Sequence, residues 1–176
     1  MKIKVQQIGE EGSRFLFTAD AGWLSRMLPE LAGAEFTLRK LSASGSIGRV
    51  GETVTIDIAM DVEIVLGCGR CLKEVETPIR AEFRYVFVPF EPGGEEEPDS
   101  EDELYFGYYR DDEIEIDPLI LEQLILRIPV RTLCNEACKG LCPECGTDLN
   151  ETQCRCERPS GHPGFGSLRN FKVNRK

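Results

Sequence analysis

The sequence is poor in the groups that most enzymes rely on. It holds one histidine among 176 residues, His162, in a Gly/Pro-rich segment that reads as a surface turn rather than a base or a metal ligand. None of G-x-x-x-x-G-K-[ST], H-E-x-x-H or G-x-S-x-G occurs, which removes the usual signatures of nucleotide, metalloprotease and serine-hydrolase chemistry. We therefore expect no catalysis. Long apolar runs are missing too: even Leu119 to Ile128 is broken by Glu122, Gln123 and Arg127, far short of the roughly 20 apolar residues that span a bilayer. No membrane contact is expected. Residues 1–8 alternate charged and apolar side chains and show no secretory pattern, so the expected compartment is a reducing cytoplasm.

Cations are scarce and unevenly placed. The net charge is -10, with 12 Lys/Arg against 26 Asp/Glu in residues 1–126 and 9 against 5 in residues 127–176. An acidic body with a basic tail points to an acidic surface or nucleic acid met by the C-terminal part alone. The local excess rests on Arg169, Lys172, Arg175 and Lys176, which lie beyond the last cysteine.

Cysteine is what the chain has in excess. Its eight cysteines fall into close pairs: Cys68/Cys71, Cys134/Cys138, Cys142/Cys145 and Cys154/Cys156. A short loop with two thiolates a few residues apart aims both sulfurs at one tetrahedral ion, so each pair is half a zinc site and four pairs make two. The link from Cys145 to Cys154 opens with Gly146-Thr147-Asp148-Leu149-Asn150, turn-rich enough to fold the last two pairs together. The other site would staple Cys68/Cys71 to Cys134/Cys138 across 62 residues. Two other pairings remain open. One groups Cys138, Cys142, Cys145 and Cys154 and frees Cys134 and Cys156; the other is a single ribbon of Cys68/Cys71 with Cys142/Cys145. A secreted disulfide framework fits poorly with the first residues, and Cys68-Gly69-Arg70-Cys71 lacks the βαβ surroundings of a redox motif.

The periodicity predicts an α+β fold, mainly an antiparallel sheet with a long hairpin, two helices and a C-terminal cysteine-rich zinc-binding module. Val54, Ile56, Ile58, Met60, Val62, Ile64 and Leu66 alternate with polar residues, and the alternation resumes from Val75 to Phe87. The two strands should meet at the 68–71 knuckle, with Gly67 and Gly69 supplying the turn. Lys2 to Ile8 and Arg14 to Thr18 read as short strands, and Asp20 as the cap of a helix carrying Trp23, Leu24, Met27, Leu28 and Leu31. Phe36, Leu38 and Leu41 suggest a strand before a Gly45 to Gly51 turn region. Tyr105 to Tyr109 and Ile114 to Ile116 bracket a turn at Asp111-Asp112-Glu113. Asp117 and Pro118 read as N-cap and first residue of a helix that Pro129 ends. The organisation expected is a body over 1–128, with the knuckle at 68–71 and an acidic mobile loop at 91–103, a zinc-binding module over 129–158, and a basic tail over 159–176.

Cys68-Gly-Arg-Cys71-Leu, Glu115-Ile-Asp-Pro before an apolar helix ending at Ile128-Pro129, the stretch Cys138-Lys-Gly-Leu-Cys-Pro-Glu-Cys-Gly-Thr-Asp-Leu-Asn150, and Cys154-Arg-Cys156 follow in an order that resembles the large ribosomal RNA subunit accumulation protein (YceD) family. The segment from Lys139 to Asn150 is the most specific part. The tail departs from the family pattern, with Gly161-His162-Pro163-Gly164-Phe165-Gly166 before Ser167 to Lys172. The resemblance implies a metal-binding, non-enzymatic factor in accumulation or maturation of large-subunit (23S) ribosomal RNA. Its expected partners are that RNA or a pre-50S particle, with a basic ribosomal protein as a further partner for the acidic body. Arg70, Lys73, Lys139 and Arg155, beside the tail cations, are the expected phosphate contacts. A zinc-stabilised protein adaptor that never touches RNA is the alternative.

Overall fold

A computed structural model describes residues 1–28, 36–90 and 104–156. The leucine at 31, the acidic segment 91–103, His162 and the tail cations lie outside these residues. The fold is α+β. Its sheet has five strands in the order β2-β3-β4-β5-β6, from β2 (Ser13–Ala19), β3 (Phe36–Val50), β4 (Thr53–Gly67), β5 (Glu74–Pro89) and β6 (Leu104–Tyr109). Neighbours are antiparallel except β5 and β6, which run parallel. A separate two-stranded ribbon pairs β1 (Lys2–Lys4) with β7 (Glu113–Glu115). Among the described residues the α-helices are α1 (Ala21–Met27) and α2 (Ile116–Arg127), and neither is long and apolar enough to cross a membrane.

The long hairpin is the spine, and its alternation is what the pattern predicts. All seven even positions of β4 from Val54 to Leu66 are buried, with Ile79, Phe83, Tyr85 and Phe87 opposite them on β5. Each such aliphatic side chain contributes about 2 kcal/mol on burial, so this one face drives the collapse. The outer face carries cross-strand ion pairs instead, Arg84 to Asp57 at 2.5 Å and Arg80 to Asp61 at 2.9 Å. Helix α2 adds Ile116, Ile120 and Leu124 to the core. Its one fully buried polar side chain, Gln123, donates to Tyr85 Oη at 3.0 Å and accepts from Arg127, so it is satisfied where it lies.

Several local expectations need correction. The Gly45 to Gly51 region is not a turn: β3 runs through it, and only Gly51 and Glu52 connect β3 to β4. Glycine at 45 answers a packing demand, because a Cβ there would stand 2.5 Å from the Asp57 carbonyl and 2.5 Å from the Phe15 ring. Gly45→Ala is accordingly expected to cost about 1–3 kcal/mol, read as a lowered thermal midpoint; an unchanged midpoint would show that both the Phe15 ring and the β4 backbone at Asp57 give way freely. The first strand ends at Lys4 and passes into a 3-10 turn, Val5–Gln7, because it belongs to the ribbon with β7 rather than to the main sheet.

Asp20 does cap α1, accepting from the Trp23 amide at 3.1 Å. Asp117, by contrast, is not the N-cap of α2. That position is Glu115, and Asp117 lies inside the first turn, where it accepts from the Trp23 indole at 2.9 Å and meets the N-terminal amine. Pro118 is tolerated one residue further in because the first-turn amides have no intrahelical acceptor. The two-residue turn at Asp111 and Asp112 has both φ angles positive, 53° and 60°, the mirror-image geometry that matches strand twist.

Candidate metal centres

The hairpin tip is a six-residue knuckle, 68–73. The Cys68 amide donates to the Lys73 carbonyl at 2.8 Å and the Leu72 amide to the Cys68 carbonyl at 2.9 Å, curling both sulfurs to one side. The residue that makes the turn is Leu72, with φ of 61°; neither Gly67 nor Gly69 has a positive φ. The expectation that those glycines supply the turn is corrected here.

Four backbone and side-chain bonds dock residues 132–141 against this tip. The Gly69 amide donates to Thr132 O at 2.8 Å and the Leu141 amide to Arg70 O at 3.0 Å. The Arg70 guanidinium donates to the carbonyls of Glu136 at 3.0 Å and Cys138 at 2.7 Å. Gly140 is needed at this contact: its φ is 76°, and a Cβ would stand 2.9 Å from Arg70 O. The docking brings Cys68, Cys71, Cys134 and Cys138 together, with Cys68 Sγ 3.9 Å from Cys138 Sγ and Cys71 Sγ 3.5 Å from Cys134 Sγ. Cys134 is exposed and the other three are buried.

The second group is built locally. The Cys142 amide donates to Thr147 O at 2.8 Å and the Gly146 amide to Cys142 O at 2.8 Å, with Gly146 at φ 71°. Leu141 bridges to Asp148, and the chain turns back so that Cys154 and Cys156 face Cys142 and Cys145. In each group all four sulfurs lie within 4.8 Å of one another, so two four-cysteine sites can each hold a metal ion. The pairing of Cys138 with Cys142, Cys145 and Cys154, and the single ribbon, are both excluded by this partition. All eight thiols are free, and the sulfur separations are far longer than the ~2.05 Å of a disulfide.

The electrostatics explain why a cation is wanted. Backbone amides around Cys134, Arg70 and Cys71 bring the Cys68 thiol down to about 6, and Thr147 does the same for Cys145, also about 6. Their neighbours move the other way: Cys71 pushes Cys134 up to about 12, and Cys145 pushes Cys156 up to about 12. Four thiolates this close cannot all be ionised alone; a bound dication removes that conflict.

Two residues that the spacing did not mark hold the sites in place. Asn150 accepts the Lys139 amide at 2.8 Å and donates to Cys138 Sγ at 3.4 Å and Asp148 Oδ1 at 2.7 Å, tying the first group to the turn that follows Cys145. Thr147 Oγ1 lies 3.2 Å from Cys145 Sγ. The sequence signals for Asn150 are its place just past a Cys-Gly-Thr-Asp turn and at the end of the stretch that most resembles the family. Among the expected phosphate contacts, Arg70 is spent on the carbonyls named above, and Lys73 pairs with Asp148 at 3.2 Å and Glu151 at 2.7 Å, which raises its pKa. Lys139 and Arg155 are exposed.

The fold and these sites define a class: an antiparallel sheet whose longest hairpin is stapled at its tip to a cysteine-rich C-terminal segment with two metal-capable centres. The model of the family described as "Large ribosomal RNA subunit accumulation protein YceD" matches residues 56–172, well over half of the chain. The chain belongs to that family. It is similar to "Large ribosomal RNA subunit accumulation protein YCED homolog 1, chloroplastic" of Arabidopsis thaliana, 29% identical over 75% of this chain and 48% of the relative, and to the protein of the same name in Zea mays, 31% identical over 60% and 44%. It is also similar to "Uncharacterized protein YlbN" of Bacillus subtilis, 28% identical over 69% of each. The chain thus spans about half the length of the plant relatives it matches. No solved structure is significantly similar to it.

Proposed function

We propose that this protein is a zinc-stabilised, non-enzymatic factor for accumulation of large-subunit ribosomal RNA, and that it contacts that RNA or its pre-ribosomal particle. The observation that carries the reading is the family match running through β4, the knuckle and both cysteine groups. Zinc is the ion the donors suit. Four sulfurs at about 2.3 Å from a tetrahedral ion are about 3.8 Å apart, and the separations in the first group are 3.5 and 3.9 Å. When bound, zinc supplies a cross-link and neutralises thiolate charge. With all four positions of each site taken by cysteine, no place is left for a substrate or an activated water, which supports a structural role. Free thiols throughout suit a reducing compartment such as the cytoplasm.

Arg70 and Lys73 serve the fold, so phosphate contact falls first to the exposed Lys139 and Arg155 and then to Arg169, Lys172, Arg175 and Lys176 of the tail. Replacing the four tail cations by Gln is expected to weaken binding of large-subunit RNA and to reduce the salt slope by about 0.7 for each single-strand phosphate that is no longer neutralised. Zinc content should stay the same. RNA affinity unchanged when Lys139 and Arg155 are replaced together with the four tail cations would favour the adaptor reading, in which the protein joins other proteins without touching RNA.

A further inference from the structure

The strand at one edge of the main sheet has the composition of a strand from its middle. Among the described residues β2 pairs with β3 alone, in an uninterrupted register from Ser13↔Ile47 to Ala19↔Leu41, so its other side presents a row of unpaired amides and carbonyls. Such a row is a template for a further strand, and edges are ordinarily blunted by proline, lysine, a bulge or a very short strand. The seven residues of β2, Ser-Arg-Phe-Leu-Phe-Thr-Ala, contain none of these devices. The strand is also apolar on both faces. Phe15 and Phe17 turn inward yet stay only partly buried, Phe17 lying edge-on to Trp23 at 5.6 Å, while Leu16 points outward with 84% of its surface exposed. That pattern suits a strand with a neighbour on each side.

The order of residues along β2 selects that neighbour. Antiparallel pairing with the same strand of a second copy, about a two-fold axis at the central residue, sets Leu16 against Leu16, Phe15 against Phe17, Arg14 against Thr18 and Ser13 against Ala19. Positions 14, 16 and 18 exchange among themselves, as do 13, 15, 17 and 19, so the ladder closes whichever set carries the free backbone groups. Each inward pair joins two aromatic rings, and the pair on the axis joins two leucines. The one charge of the strand is matched as well. Asp20 is still extended, with φ -130° and ψ -174°, so it continues the outward row and lies diagonally across from Arg14 of the copy. Arg14 has no ion-pair partner among the described residues, and Asp20 gives only one oxygen, Oδ1, to the Trp23 amide. The two-fold makes this ion pair twice and sets no like charges against each other within the strand.

We propose that this chain forms a two-fold dimer through the free edge of β2, joining the main sheets of two copies into one continuous sheet with Leu16 on the axis. The test uses the full chain, as wild type, Leu16→Lys and Leu16→Glu, in sedimentation equilibrium and native mass spectrometry from about 1 to 100 µM. Wild type is expected to dimerise within that range. Either substitution sets like charges face to face on the axis, so each should weaken the dimer at least about tenfold. Leu16 is exposed in the single chain, so both variants should keep the metal content of wild type and its thermal midpoint at concentrations where all three are monomeric. An equimolar mixture of the two variants should restore a dimer holding one chain of each, since opposite charges then meet on the axis. Wild type that stays monomeric at about 100 µM overturns the proposal, as does a dimer that either variant forms as tightly as wild type. A mixture that binds no more tightly than its components takes Leu16 off the axis and overturns it too.

Discussion

Protein purified under reducing conditions is expected to carry two zinc ions per chain, and stripping them with a chelator should melt residues 132–156 while the long strands persist. Those residues form no helix and no extended strand, and their core is little more than Leu133 and Leu141 against the cysteines, so they have few means of folding alone. Structural zinc contributes on the order of 10 kcal/mol per site in model fingers, more than such a segment can replace by packing. The sheet differs in kind, since its core is a continuous set of buried aliphatic and aromatic side chains from β3, β4, β5 and both helices. Metal analysis with thiol counting, followed by circular dichroism with and without chelator, checks both halves. Less than one metal per chain together with four intramolecular disulfides would overturn the metal reading; intact structure over 132–156 after complete stripping would assign its stability to packing.

Separating the two centres should produce the second large effect. Cys142→Ser removes a ligand of the locally built group and is expected to deprotect the Cys142 and Gly146 amides, whose acceptors are Thr147 O and Cys142 O. The hairpin-tip amides should stay protected. Cys71→Ser acts on the long-range group and should release the Gly69 and Leu141 amides, which bond to Thr132 O and Arg70 O across the junction. Hydrogen exchange reads these four positions individually. Each variant should also lose about one zinc. If both deprotect the same amides, the two groups form one cooperative unit, and the Asn150 side chain that touches Cys138 and Asp148 is the natural coupling element.

The alternating pattern of β4 and β5, the Asp20 cap and the halves of each metal site were legible because each depends on residues close in sequence. The pairing of Cys142/Cys145 with Cys154/Cys156 was legible for the same reason. Elsewhere local signals misled. Glycines at 45, 48 and 51 resembled a turn, yet Gly45 lies in a strand under the Phe15 ring. The Asp-Pro pair resembled a helix start, yet Asp117 lies within the first turn, held there by Trp23, 94 residues away in the chain. Arg70 and Lys73 looked like free cations beside a knuckle, and their partners, Glu136, Cys138, Asp148 and Glu151, become neighbours only on folding.

By itself, the sequence determined the α+β character, the buried face of the hairpin, the four thiolate pairs and the family, since composition, period and short spacings survive without knowledge of contacts. Tertiary structure alone decided that β6 joins parallel to β5, that β1 leaves the main sheet for β7 and that a leucine carries the left-handed turn at the hairpin tip, and it settled in favour of Cys68/Cys71 with Cys134/Cys138 a pairing that the spacing had favoured but left open. The physical reason is the same in each case. These features depend on which distant surfaces bury one another most completely, and that choice is a property of the folded chain as a whole, not of any window within it.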